Sequence, residues 1–264
     1  MPDIVGDIKR MKIRGARQIA LESLTHLKRF SEKNGFGHRF EDECRRLISA
    51  RPTAAMPYNV IHEVMKNKSP EKIDELLSRI EHSIEDISKT GKKLFKKKTV
   101  VITHCHSHEA ISLLIASKRK ISKVYVTETR PRMQGIETAR DLSKHIPTYF
   151  IVDSASGYYM PEVDMLIIGA DALRREGVVN KIGTLMMAMT AGGFGKPVYV
   201  VSDTMKIDRR RKIIIEKRDC DELCSIKNVK IENPAFDVTP WKYVTAVITE
   251  RGIFSPKAVK RMIG

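Results

Sequence analysis

The stretch Thr99-Val-Val-Ile-Thr-His-Cys-His-Ser-His-Glu-Ala-Ile-Ser-Leu-Leu-Ile-Ala116 decides the fold. Its first five residues are apolar and β-branched, as in a strand buried on both faces. From Ala110 onward, Ile111, Leu113 and Leu114 follow a helical pattern, and Ser107 is placed to cap the helix start. The same alternation recurs downstream. Lys123–Thr127, Thr148–Val152, Met165–Ile168, Pro197–Val201 and Thr245–Thr249 read as further strands. Gly135–His145 and Thr184–Ala191 read as helices beside His108–Ser117. The expected fold class is α/β, with a Rossmann-like, doubly wound, mainly parallel sheet and helices on both faces.

Upstream of Thr99 the pattern is helical. Ala20, Leu21, Leu24, Leu27 and Phe30 form a helix-period stripe, Phe40–Ile48 reads as a second helix, and a third starts after Pro57. Ser69-Pro70-Glu71 opens a fourth, with proline at its first position, which carries Ile73, Leu76, Leu77, Ile80, Ile84 and Ile87 toward Leu94. The expected organisation is a helical N-terminal domain, residues 1–95, and a sheet domain, residues 96–264. A basic stretch including Lys96, Lys97 and Lys98 joins them.

Composition narrows the function. The 264 residues, 42% hydrophobic, suffice for two modest domains or one large one. Lys and Arg number 48 against 32 Asp and Glu, a formal charge of +16. Such a surface attracts nucleic acid, acidic proteins or phosphorylated metabolites. The charge sits in scattered short clusters, aromatics are 6%, and no nucleic-acid motif accompanies them, so nucleic acid is not the expected partner. No apolar run approaches a membrane span, and Met1–Lys12 lacks the apolar centre of a signal peptide. A cytoplasmic protein with reduced thiols and no membrane partner is expected. Cys220 and Cys224 lack the two-residue spacing of a metal knuckle.

The candidate chemistry gathers at strand ends, where open α/β sheets bind ligands. Cys105 lies between a strand end and a helix start, where a thiol's pKa is lowered, and reads as a nucleophile or base; a small packed cysteine is the alternative. His104, His106 and His108 alternate, which invites a metal, but in an extended chain Cys105 points away from them and no second ligand cluster exists. No metal is expected, and a metal-dependent hydrolase using these histidines is the minor alternative. Asp171 ends Leu166-Ile-Ile-Gly-Ala170 and reads as an acid over the cleft or a turn cap. Asn180-Lys181-Ile-Gly-Thr184 reads as a loop entering a helix, its N–H groups and Lys181 suited to a phosphate or sugar hydroxyl; a plain capped loop is the alternative. Ile13-Arg14-Gly15-Ala16-Arg17 and Arg51-Pro52-Thr53 offer arginine to phosphate, against the alternative of solvated charge at helix ends. Glu128-Thr-Arg-Pro131 follows a strand onto the same edge.

These pieces, in this order, resemble the translation initiation factor 2B-like family of sugar-phosphate isomerases. The resemblance spans nearly the whole chain and includes Asn233-Pro-Ala-Phe-Asp-Val-Thr-Pro240 and Ile248-Thr-Glu-Arg-Gly-Ile253. The Cys105 and Asp171 pair is most similar to the archaeal ribose-1,5-bisphosphate isomerase branch. The resemblance implies conversion of ribose 1,5-bisphosphate to ribulose 1,5-bisphosphate in nucleoside monophosphate salvage, with Asp171 as acid and Cys105 as base. It implies substrate contacts at Arg14, Gly15, Ala16, Arg17, Arg51, Ser107, His108, Glu109, Asn180, Lys181 and Lys206. It also implies a homodimer or homohexamer, AMP as an activator, and no redox cofactor or metal. This chain departs from the family pattern at Arg17, where a glycine is expected, and at His108, where a lysine is expected; a different pentose phosphate stays open. The alternative is a non-catalytic 2B-like subunit that binds the initiation factor 2 α chain or a nucleotide.

Overall fold

The computed structural model describes residues 3–95, 98–212 and 215–264. Lys96 and Lys97 of the basic stretch, and with them the expected boundary after residue 95, lie outside the described residues. Five helices come first: α1 (Ile4–Lys9), α2 (Ala16–Asn34), α3 (His38–Ala50), α4 (Ala55–Lys66) and α5 (Pro70–Gly91). Helix α4 begins two residues before Pro57, because a proline is tolerated within the first turn, where its missing N–H has no intrahelical partner to lose. Ser69 accepts a hydrogen bond from the Lys72 N–H and starts α5 as its sequence requires. Leu24, Leu27, Phe40, Leu47, Ile61, Ile73 and Leu76 form the fully buried centre of this half.

The last turns of α5 leave that core for another. Ile87 and Phe95 pack with Val101, Leu113, Leu114 and Val124 beneath the sheet, so one helix is anchored in both hydrophobic cores. The remaining elements are β1 (Thr99–His104), α6 (His108–Ala116), β2 (Ile121–Thr127), α7 (Gly135–Ser143), β3 (Thr148–Ile151), α8 (Ser156–Tyr159), β4 (Met165–Ile168), β5 (Ala172–Leu173), β6 (Gly177–Lys181), α9 (Thr184–Gly193), β7 (Val198–Val201), β8 (Phe236–Pro240), β9 (Ala246–Thr249), β10 (Gly252–Phe254) and α10 (Pro256–Ile263).

Seven strands form one sheet in the order β10-β9-β7-β4-β1-β2-β3. Every pairing is parallel except that of β10 with β9. The chain leaves β1 toward β2 and β3, then returns to place β4 on the other side of β1. The gap between the C-terminal ends of β1 and β4 is therefore the topological switch point, where an open sheet presents a crevice.

A second, antiparallel sheet, β5-β6-β8, corrects one expectation. Asn180 and Lys181 lie not on a loop but on β6, where they pair with Asp237 and Phe236 of β8. The partner strand lies more than fifty residues away in sequence, and a five-residue strand ending in Asn and Lys has too little apolar content to declare itself. Asp237 of β8 accepts hydrogen bonds from Gly183 and Leu185 N–H (2.8 and 3.1 Å), capping α9 from across the small sheet.

Candidate active site

Cys105 follows β1 with φ 69°, a left-handed conformation that non-glycine residues adopt only when their surroundings enforce it. Two threonines supply that enforcement. Thr129 Oγ1 accepts from the Cys105 N–H at 2.9 Å, and Thr138 Oγ1 donates to the Cys105 carbonyl at 2.8 Å. Thr129 is held in turn by Asp153, whose carboxylate accepts from the Thr129 and Arg130 N–H groups, both at 2.8 Å.

The kink cancels the alternation expected of an extended chain. His104 is buried, its Nε2 donating to the Ile182 carbonyl (2.9 Å) and its Nδ1 accepting from Thr127 Oγ1 (2.6 Å). Burial lowers its pKa and keeps it neutral. Cys105 and His106, expected on opposite faces, instead line the same cleft. His106 Nδ1 donates to Thr138 Oγ1 at 3.0 Å, since that hydroxyl's proton is already given to Cys105. His108 opens α6, exposed to solvent. Among the described residues no cluster of His, Cys, Asp or Glu is gathered as a metal site.

Across the switch point, Gly169 lets the end of β4 approach the start of α6: a Cβ there would come within 2.5 Å of Ser107. Asp171 follows. Its N–H donates to Val179 O (2.8 Å) and its carbonyl accepts from the Ala55 N–H (3.2 Å), fixing it between the small sheet and the start of α4. Ser107 caps α6 by accepting from the Ala110 N–H, as its sequence position requires.

The thirteen residues singled out in the sequence all line one cleft, of about 760 Å³ including its open mouth. Arg14, Gly15, Ala16 and Arg17 come from the start of α2, and Arg51 from the end of α3. Cys105, Ser107, His108 and Glu109 come from the β1–α6 junction, Asp171 from beyond β4, Asn180 and Lys181 from β6, and Lys206 from the turn after β7. His106 and Ala170, from two of the quoted motifs, line it too, and so do Met11, Gln134, Glu137 and Phe236, which were not singled out. Phe236 sits within the quoted Asn233–Pro240, which held its signal, whereas Gln134 and Glu137 fall just after Glu128–Pro131 and outside every quoted motif.

Gly15 caps α2 with φ 77° and no side-chain hydrogen bond, which leaves the first N–H groups of a nineteen-residue helix open toward the cleft. Five permanent cations line the cleft against three carboxylates. Most are already matched. Lys206 and Glu109 form a buried pair at 2.6 Å. Arg14 meets Glu137 at 2.7 Å, and Arg51 meets Glu216 at 3.1 Å. Among the described residues, Arg17 reaches only the Glu81 carbonyl, at 3.5 Å. Lys181 differs: it is 6% exposed, its ammonium lies 4.9 Å from the centre of the Phe236 ring, and among the described residues no carboxylate pairs with it. Asn180 turns its amide N–H to Thr184 Oγ1 (3.0 Å).

The electrostatics correct a second expectation. The start of α6 does not lower the Cys105 thiol; burial pushes it up to about 11, with Lys181 pulling the other way. Burial also raises the Asp171 carboxyl, against the pull of Lys206, Arg51 and Lys181. Burial acts to raise Glu109 as well, but Lys206 outweighs it and holds that carboxyl below its usual range.

Comparison with known proteins places this geometry. Residues 12–256 match the model of the initiation factor 2 subunit family. A ribose 1,5-bisphosphate isomerase of Methanocaldococcus jannaschii is 38% identical over 95% of this chain and 90% of its own. A methylthioribose-1-phosphate isomerase of a Thermoanaerobacter species is 32% identical over 96% of this chain and 87% of its own. The crystal structure of Pyrococcus horikoshii translation initiation factor eIF-2B superposes with a TM-score of 0.89 at 29% identity, covering all of both chains. The chain belongs to the initiation factor 2 subunit family.

Proposed function

We propose that this protein is a sugar-phosphate isomerase that converts ribose 1,5-bisphosphate to ribulose 1,5-bisphosphate, with Asp171 as the acid and Cys105 as the base. One observation carries the reading: a thiol beyond β1 and a carboxyl beyond β4 share a cleft at the switch point, flanked by cations and two helix starts. Relatives named as isomerases of two ribose phosphates support the reaction class. Two separate anion-binding regions favour the bisphosphate. The start of α2 with Arg14, Arg17 and Arg51 suits one phosphate, and Lys181 with the start of α6 suits the other.

The phosphate on C1 blocks ordinary opening to a free aldehyde. Asp171 protonates the ring oxygen and the ring C1–O bond breaks, while Cys105 takes the proton from C2 and leaves a C1–C2 enol. Return of a proton to C1 and loss of the enol hydroxyl proton give the C2 ketone, with no net change in electrons. Acid and base share one proton between them. In the free cleft burial raises both groups, the thiol to about 11, and both compete for that proton. Catalysis requires it on Asp171. Exclusion of water by substrate raises the carboxyl further, and Lys181 acts at the sulfur to stabilise the thiolate.

AMP activation and a homodimer or homohexamer belong to the same reading. Tyr149, Phe150, Tyr158, Met189 and Phe194, on β3, α8, α9 and just beyond α9, leave about half or more of their surface exposed, an apolar area that assembly would cover. A non-catalytic subunit gives the Cys105–Asp171 pair no task. The deciding assay offers the purified protein ribose 1,5-bisphosphate and, separately, 5-methylthioribose 1-phosphate, with and without AMP, and reads the ketose product. Turnover of the bisphosphate supports the proposal; turnover of the monophosphate alone reassigns the substrate; turnover of neither favours the non-catalytic subunit.

A further inference from the structure

Beside the Thr204–Lys206 turn, which also borders the cleft, lies a second, larger concavity of about 1490 Å³ including its mouth. Helices α4 and α5 form one wall, through His62, Lys66 and Arg79. Arg209, Arg210 and Arg251 form the other. Met205 and Ile207 lie at the base, where Asn59 Nδ2 donates to both of their carbonyls at 2.7 Å.

Charge is the distinctive property of this groove. Five permanent cations line it against one carboxylate, Glu63, and Glu63 is engaged by Lys72 at 3.2 Å. Asp208 answers Arg210, and Glu250 stands 3.5 Å from Arg251. Among the described residues, Lys66, Arg79 and Arg209 have no carboxylate partner. Arg79 reaches the Thr204 hydroxyl at 3.5 Å, and Arg209 donates to the Ile263 and Met262 carbonyls at 3.2 and 2.6 Å. Those bonds aim the guanidinium groups without neutralising them. Burial first, and then Lys66 and Arg210, lower the pKa of His62.

Like charges converging in a concave site repel one another unless an anion enters, and the low-dielectric walls focus the field inward. A single phosphate neutralises one or two such cations. The spread of the unpaired cations over both walls suits an anion with more than one phosphate group. Guanidinium forks prefer phosphate geometry over a simple halide.

We propose that this groove is a second anion site, separate from the active-site cleft, that binds a small multiply phosphorylated ligand. Its base is the turn that carries Lys206 on the cleft side, so the two sites share one structural element. The site stands whether or not the isomerase reading holds, because its test reads binding alone.

The probe is inorganic pyrophosphate, titrated calorimetrically into the whole protein at low salt. Three proteins are compared: wild type, Lys181→Ala in the cleft, and Lys66→Gln/Arg79→Gln in the groove. The expected result is that Lys181→Ala still binds one pyrophosphate per chain, while the groove variant loses roughly tenfold or more in affinity at that site, about one charge-assisted contact. Lys66→Gln alone, on the exposed face of α4, serves if the double variant does not fold, with several-fold weakening expected. Loss of all pyrophosphate binding in Lys181→Ala, or wild-type binding in the groove variants, would overturn the proposal.

Discussion

The two walls of the cleft are built on opposite plans. On the helical wall, Arg14 and Arg51 already hold carboxylates, Glu137 and Glu216, supplied from the sheet half of the chain. On the sheet wall, among the described residues, Cys105 sits in a strained backbone, Asp171 has no hydrogen bond to its carboxyl, and Lys181 is buried over an aromatic ring with no carboxylate paired to it. A phosphate arriving at the helical wall exchanges one anion for another and gains little. A phosphate arriving at Lys181 satisfies a charge that the fold leaves unsatisfied. The helical wall reads as a selector, the sheet wall as the place where binding and chemistry draw on stored imbalance.

The contrast is sharpest between two buried lysines on the sheet wall. Lys206→Met strands Glu109 as a buried, unpaired carboxylate and is expected to lower stability by about 3–5 kcal/mol, read by chemical denaturation. Adding Glu109→Gln should restore much of that loss. Lys181→Met strands nothing. It is expected to leave the melting temperature unchanged or raise it, while weakening bisphosphate binding by about 2–3 kcal/mol, roughly 30- to 150-fold, read by titration. Equal behaviour of the two variants would break the distinction.

The pH profile is the next test. On the proposed mechanism the pair is active with one proton, so kcat/KM is expected to form a plateau. It should fall on the acid side, as Asp171 takes a proton while the thiol keeps its own. The acid limb should lie above the usual carboxylate range, because burial raises Asp171. The alkaline limb should lie near pH 11, where the second proton leaves the thiol. An alkaline limb near pH 8 would mean that the thiol is not held up by burial. The smallest effect belongs to the helical wall. Arg14→Gln should raise KM by roughly tenfold or less with kcat unchanged, because Glu137 already offsets part of that charge.

Much of this was legible in the sequence, for a physical reason. Buried parallel strands must be apolar and β-branched, so β1, β2, β4, β7 and β9 declared themselves, the edge strand β3 was marked by its apolar run, and Ser69 and Ser107 marked helix starts through their caps. What stayed hidden depends on long-range pairing. Strand β6 forms only against β8, and β10 is a three-residue edge. The position of Cys105 was legible, but its conformation and acidity were not: both come from Thr129, Thr138 and the burial they enforce. Glu137 and Glu216 acquire their roles only when two halves of the chain meet.

On the sheet wall, in the proposed mechanism, chemistry rests on Cys105 and Asp171 while Lys181 holds phosphate. The most direct measurement pairs steady-state turnover of ribose 1,5-bisphosphate with the Kd for ribulose 1,5-bisphosphate, in Cys105→Ser and Asp171→Asn beside the wild type. The expected result is a fall in kcat on the order of a thousandfold in each variant while Kd stays within several-fold. Turnover within tenfold of wild type, or affinity lost in step with kcat, would contradict it.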